Sequence, residues 1–299
     1  MDNGTVEQRV DNRTMGQRVD NRLNRKDSEM GKFDGWLLAS DMDGTLLSPD
    51  GNISDRNRRV IGSFVAQGGR FTIATGRMPT SILERIHGLA VNCPMIVLNG
   101  AGLYDLDSRQ WLDTQYMRMD VLHACVADVA REFPDIGIIA FEPEHAAVLT
   151  HVPWLSEMTA GERARFVETA AEQVGADVFK LVLTGQPARI DALAPYLAAH
   201  PVAPLVDMLL TADSCLELMP PGISKGTALV ELRDSLGIAP EKVLAIGDYE
   251  NDAAMLRVAG ISAAPENAHP DVRALADHIV AHHGEDAVAD FLYLVFGRE

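Results

Sequence analysis

From Trp36 onward the chain alternates short apolar runs with stretches of helical spacing. Leu37-Leu38-Ala39-Ser40 reads as a strand that runs into Asp41-Met42-Asp43-Gly44-Thr45. Residues 48–52 have turn composition, Ser54 can cap a helix over 54–67, and Gly68-Gly69 ends it. A second strand over 70–74 leads directly into Thr75-Gly76-Arg77, and Pro79 opens a helix expected to reach about residue 89. A third strand over 95–98 ends in Asn99-Gly100-Ala101. The same rhythm returns late in the chain. Ser224 caps a helix over 224–236, a strand over 242–246 delivers Gly247-Asp248-Tyr249-Glu250-Asn251-Asp252, and a helix follows to about 258. A strand over 261–263 and helices from about 270 and 285 close the pattern.

Short, wholly apolar strands alternating with helices predict a parallel sheet covered on both faces. Between 103 and 216 the pattern changes. A hairpin over 104–107 and 111–115 turns at Ser108-Arg109, helices are expected over 121–133 and 187–199, and strands over 137–141, 147–150 and 178–183. The predicted fold is therefore α/β, a Rossmann-like parallel-sheet core with an inserted α+β cap domain after the third core strand. Its expected divisions are an N-terminal extension over 1–33, a core over 34–102 and 217–299, and a cap over 103–216. The extension repeats Gln8-Arg9-Val10-Asp11-Asn12-Arg13 as Gln17-Arg18-Val19-Asp20-Asn21-Arg22. It is too polar to bury a core and is expected to be disordered, with Met30 an alternative start.

Composition narrows the function classes. A formal net charge of -17 argues against a general nucleic-acid binder or an anionic-membrane binder, both of which need a basic face. Phosphate can still bind where a metal, Lys or Arg makes the site locally positive. Cys93, Cys125 and Cys215 are too scattered for a zinc or C-x-x-C redox site and read as reduced thiols. With no membrane-length apolar run and no signal-like N-terminus, the expected compartment is the cytoplasm. Nothing in the pattern fixes an oligomeric state.

Three of the apolar strands end in polar clusters: Asp41 with Asp43, Thr75-Gly76-Arg77, and Asp248 with Asn251 and Asp252. A parallel sheet brings strand C-termini to one edge, where ligands of open α/β sheets bind. Asp41 and Asp43, one residue apart, point to the same side of an extended chain, and their mutual repulsion is relieved by a cation. Mg²⁺ suits carboxylates that also handle phosphate oxygens, so metal-assisted phosphoryl transfer is the expected chemistry. Each cluster has a plainer reading when taken alone. Thr75 can cap a helix, Lys225 can be a solvated first-turn residue, and Asn251 with Asp252 can merely start a helix. His278, His282 and His283 fall away from the predicted catalytic edge.

Asp-x-Asp-Gly-Thr, the Thr after the second strand, Ser224-Lys225-Gly226 and Gly-Asp-x-x-Asn-Asp, in this order, resemble the haloacid dehalogenase-like superfamily. The insert's position, Thr75-Gly76-Arg77 and Asn99-Gly100-Ala101 resemble its Cof-type phosphatases. The resemblance runs from about Trp36 to Phe296. It implies Asp41 as nucleophile and Asp43 as general acid and base. It implies Mg²⁺ on the Asp41 carboxylate, the Asp43 carbonyl and Asp248, with Asp252 holding a metal-bound water or orienting Lys225. Thr75, Gly76, Arg77, Lys225 and Asn251 would bind a small phosphorylated metabolite, a sugar phosphate or a phosphorylated cofactor. Asn267-Ala268 would shape the loop beside the metal site. Tyr104, His151 and Trp154 are the cap residues considered for specificity, with core packing the competing role for the aromatics. A phosphosugar mutase and a non-catalytic metabolite-binding protein are the alternatives on the same fold.

Overall fold

The computed structural model describes residues 31–150, 152, 155 and 166–298. Residues 1–30, His151 and Trp154 lie outside the described residues. The folded region begins before residue 34, because Phe33 is buried against Phe64 and Phe296 at 5.1 and 4.7 Å between ring centroids.

The core starts with β1 (Leu37–Ser40), α1 (Asp55–Ala66) and β2 (Arg70–Ile73). Ser54 caps α1 by accepting from the Asn57 amide. Helix α2 (Pro79–Ile82) is a single turn rather than the expected three. Beyond it the Arg85 and His87 carbonyls turn outward to the Arg58 guanidinium at 3.2 and 2.8 Å, and Gly88 takes φ +77. Carbonyls committed to another element cannot continue the helical ladder. β3 (Met95–Val97), β4 (Gly102–Asp105) and β5 (Gln110–Thr114) form an antiparallel sheet. The hairpin expected within the insert therefore extends from the third core strand instead. Tyr104 belongs to its packing, edge-on to Trp111 at 5.3 Å.

The insert proper carries β6 (Met117–Arg118), α3 (Met119–Glu132), β7 (Gly137–Phe141), β8 (Ala146–Thr150) and β9 (Phe166–Glu168). It continues with β10 (Asp177–Val178), β11 (Lys180–Thr184), α4 (Pro187–Ala198), β12 (Asp207–Ala212) and β13 (Cys215–Met219). Its main sheet has the order β12-β13-β11-β7-β8-β9 and is antiparallel except where β8 meets β9. Side chains alternate between its faces. Leu181, Leu183, Leu216 and Leu218 pack under α3 and α4. The intervening Lys180, Val182, Cys215 and Glu217 line a cavity shared with the core. The sequence pattern revealed β7, β8 and β11 but not β9, β12 or β13.

The chain returns to the core through α5 (Lys225–Ser235), β14 (Val243–Ile246), α6 (Ala253–Val258), β15 (Ile261–Pro265), α7 (Pro270–Leu275), β16 (His278–Val280) and α8 (Ala287–Phe296). The core sheet runs β16-β15-β14-β1-β2 with every pair parallel, and an Ala74–Ile96 bridge adds β3 at its edge. β1 and β14 lie side by side and are fully buried on both faces, as their uninterrupted apolar sequences require. The fold is thus the expected parallel-sheet α/β core with an added antiparallel insert. Parallel pairing also fixes the site, since the loops after β1, β2 and β14 emerge together.

Candidate active site

The chain turns sharply after β1. Gly44 takes φ +77, and a Cβ there would sit 2.4 Å from the Asp248 carboxylate. Only glycine allows the first loop and the β14 loop to approach this closely. Thr45 Oγ1 donates to Asp248 Oδ1 at 2.7 Å, and Asn267 Nδ2 donates to the Gly44 carbonyl at 2.8 Å. Asn267 thereby braces the loop in the manner expected for it.

Lys225, in the first turn of α5, is fully buried between two carboxylates. Its Nζ donates to Asp41 Oδ1 at 2.6 Å and Asp252 Oδ1 at 2.7 Å. Asp252 Oδ2 accepts the backbone amides of Asp248 and Tyr249 at 2.9 and 3.1 Å. Both Asp252 oxygens are thus committed, so of its two expected roles the geometry favours orienting Lys225.

Asp41, Asp248 and Asp252 bring ligand oxygens within 4.8 Å of one another. Burial is the main force pushing the Asp41 carboxyl well above the ordinary range, against the pull of Lys225 and with help from Asp252, Asp248 and Asp43. Asp248 is pushed up to about 6 by burial and then by Asp252. Burial opposes the Lys225 ammonium, yet Asp252 and Asp41 outweigh it and raise its pKa. Four carboxylates face two cations, Lys225 and Arg77, leaving the equivalent of two uncompensated negative charges. A divalent cation with oxygen preference fits this donor set.

Asp43 behaves differently. Its side chain is half exposed and gripped by Arg77, with Nε to Oδ2 at 2.6 Å and Nη2 to Oδ1 at 2.9 Å. Arg77 had been expected to face the substrate; here it closes on the expected acid–base residue. A bidentate guanidinium contact needs both carboxylate oxygens as acceptors, so it must loosen before Asp43 can hold a proton.

Residues of both layers line a cavity of about 460 Å³, among them Asp41, Asp43, Thr75, Arg77, Asp248 and Asn251. All nine residues expected at the site lie around it except Lys225, which is buried beneath Asp41. Asn99 belongs to it through a left-handed run, with φ of +52, +57 and +100 at Leu98, Asn99 and Gly100. Such conformations cost about 1–2 kcal/mol at a non-glycine residue and are retained where they place a functional group. A Cβ at Gly100 would lie 2.2 Å from the Ser224 carbonyl, so the run is wedged against the start of α5.

Lys180 and Glu217 also line the cavity, and the sequence reading passed over them. Each is a single charge inside an apolar strand, the signal that could have exposed them. His282 Nδ1 accepts from the Gly284 amide two residues on. His283, expected away from this edge, instead reaches the loop after β1: its Nδ1 lies 2.6 Å from the Leu47 carbonyl and its amide donates to Asn267 Oδ1, the residue that braces Gly44. Cys93 and Cys125 are buried, and burial pushes their thiols to about 12 and about 11.

A buried carboxylate–lysine–carboxylate array at the C-terminal edge of a parallel sheet, beneath the insert, is a site suited to an anionic ligand held through a cation. The sequence model of the haloacid dehalogenase-like hydrolases matches residues 38–292, and the chain belongs to that family. A 5-amino-6-(5-phospho-D-ribitylamino)uracil phosphatase of Bacillus subtilis is 27% identical over 269 residues, covering 86% of this chain and 96% of the relative. A pyridoxal phosphate phosphatase of Escherichia coli is 27% identical over 272 residues, covering 86% and 97%. A chloroplastic endoribonuclease of Arabidopsis thaliana is 25% identical over 266 residues, 85% of this chain, but the chain spans only 45% of that protein's length. Among solved structures, a haloacid dehalogenase-like hydrolase from Bacteroides thetaiotaomicron superposes with a TM-score of 0.78 at 25% identity, over 89% of this chain and 100% of that one. Among the described residues, no helix is long and apolar enough to cross a membrane.

Proposed function

We propose that the protein is a Mg²⁺-dependent phosphatase of small phosphorylated metabolites that works through an aspartyl-phosphate on Asp41. The observation carrying this reading is the buried Asp41–Lys225–Asp252 array with Asp248 beside it. Lys225 fixes Asp41 Oδ1 and leaves Oδ2 to attack phosphorus. As the Asp41–phosphorus bond forms, the bond to the leaving oxygen breaks, and that oxygen takes a proton from Asp43 once Arg77 has released it. Asp43 then removes a proton from water, which attacks phosphorus and frees Asp41 and inorganic phosphate. Thr75, Asn251 and Arg77 donate to the phosphate oxygens, while Lys225 offsets charge at the nucleophile.

Asp41, Asp248 and the Asp43 carbonyl would hold the metal, which supplies charge neutralisation and alignment for in-line transfer. A cavity of about 460 Å³ suits a metabolite rather than a polymer. The names of two relatives, for a phosphoribitylamino-uracil and for pyridoxal phosphate, place phosphorylated cofactors and their precursors first in a substrate panel, with sugar phosphates beside them. The test is inorganic phosphate release from such a panel, with Mg²⁺ and with chelator. Metal-dependent release from at least one compound supports the reading; no release from any, or release indifferent to chelator, refutes it.

A further inference from the structure

Lys180 on β11 and Glu217 on β13 form an ion pair at 2.6 Å, with only 3% and 4% of the residues exposed. Both members of the pair also reach groups of the core. Lys180 Nζ also donates to the Gly76 carbonyl at 2.9 Å and lies 4.9 Å over the Phe141 ring. Glu217 Oε2 accepts from Asn99 Nδ2 at 2.7 Å, and Thr211 Oγ1 lies 3.4 Å from Oε1. Two of the three ammonium hydrogens are thus committed to Glu217 and to the Gly76 carbonyl. The pair touches the core at Asn99 and Gly76, and both contacts lead to the phosphate-facing edge.

The first route runs through Asn99. A carboxylate can only accept, so Glu217 obliges Asn99 to turn its amide nitrogen toward the insert and its oxygen away. Asn99 Oδ1 then accepts from Asn251 Nδ2 at 3.0 Å. That bond uses one hydrogen of the Asn251 amide and holds the nitrogen, with its second hydrogen, at the edge of the cavity that Asn99 lines. The second route runs through one peptide group. Lys180 holds the carbonyl of the Gly76–Arg77 peptide, and the N–H of that same peptide donates to Thr75 Oγ1 at 3.2 Å. Thr75 Oγ1 is thereby an acceptor on the loop side, and its own hydrogen is left to donate into the cavity. Gly76 permits this arrangement, since a Cβ there would lie 3.1 Å from the Asn99 amide.

We infer that Lys180 and Glu217 are positioning residues, a buried pair supplied by the insert that sets Asn251 and Thr75 as hydrogen-bond donors toward a bound phosphoryl group. Two neutral groups that could present either polarity to an anion are set to the attractive one by a charge pair on the insert. Because the pair belongs to the insert and its targets to the core, the phosphate site is complete only with the insert seated. The inference rests on the phosphatase reading above.

The test uses the full chain with Mg²⁺ and orthovanadate as the phosphoryl mimic, with binding followed by calorimetry. Single removal of either charge strands the other in the interior, so the informative variant is Lys180→Met combined with Glu217→Gln, which leaves no lone buried charge. It should melt within a few degrees of the wild type yet bind vanadate about 10-fold to 100-fold more weakly, the range for one lost hydrogen bond to a charged group. Asn251→Ala should weaken binding similarly in the wild type and add less than about 3-fold in the paired variant, because its donor has already lost its orientation. A merely structural role would leave the two effects additive. Wild-type affinity in the folded paired variant, or full additivity with Asn251→Ala, would overturn the inference while leaving the phosphatase reading intact. Failure of the wild type both to bind vanadate and to release phosphate would instead overturn that reading, and the inference with it.

Discussion

Lys225→Met removes the cation from the centre of the site while keeping most of the side chain's volume. Lys225 is fully buried and bonded at 2.6 and 2.7 Å to Asp41 and Asp252, so its loss leaves two carboxylates facing each other in the interior. Deleting one member of a buried pair typically costs about 3–5 kcal/mol. At about 2–4 °C per kcal/mol for a chain of this size, the melting temperature should fall by roughly 10 °C in chelator at pH 8. The sign of the pH dependence follows from Asp41. Its carboxyl is already held above the ordinary range by burial, with Lys225 the chief opposing influence, and removing that influence raises it further. A carboxyl with a raised folded-state pKa contributes stability at low pH that is lost as pH rises through that pKa. The deficit of the variant should therefore be small near pH 5 and grow toward pH 8. Melting curves at four pH values in chelator measure it directly. A deficit that does not change with pH, or a melting temperature within about 2 °C of the wild type at pH 8, would refute the idea that Lys225 neutralises Asp41.

The same linkage applies to the metal-free wild type: with Asp248 at about 6 and Asp41 raised, its stability should drop as pH climbs from 5 to 8. Mg²⁺ should consequently raise the melting temperature more at pH 8 than at pH 5, and equal gains would count against these carboxylates as its ligands. Gly44→Ala places a Cβ 2.4 Å from the Asp248 carboxylate and should weaken Mg²⁺ activation of turnover at least about 10-fold. Gly222→Ala, at a similar φ of +75 but with open space around it, should cost some stability and leave the Mg²⁺ requirement unchanged. Deleting residues 1–30 should alter turnover and melting temperature very little, and a large loss in either would show that the polar extension contributes to the fold.

How far the sequence reached depended on how each feature is encoded. Asp41 to Thr45, Thr75 to Arg77 and Asp248 to Asp252 are contiguous motifs at the ends of apolar strands. Parallel topology alone brings them together, so their meeting at one sheet edge is legible in the sequence. Lys180 and Glu217 stand 37 residues apart, each one charge in an apolar strand, and they meet only through the β11–β13 pairing. No spacing rule announces a pair made by sheet register. The grip of Arg77 on Asp43 is likewise a matter of side-chain placement across two loops. Helix α2 fell short because Arg58, on another helix, claims carbonyls that local propensity would have spent on the next turn. The hairpin after β3 has the alternation of any hairpin, and only its pairing with Met95–Val97 says which sheet it extends.

The most direct measurement is a mass spectrum of protein quenched in acid during turnover of a hydrolysed substrate with Mg²⁺. Phosphoryl transfer to Asp41 predicts a mass gain of one phosphoryl group on the peptide carrying Asp41, absent before substrate is added and absent in Asp41→Asn, which should also release no phosphate. Phosphate release by Asp41→Asn at a rate near the wild type, or a phosphoryl group found on a different residue, would contradict Asp41 as the nucleophile.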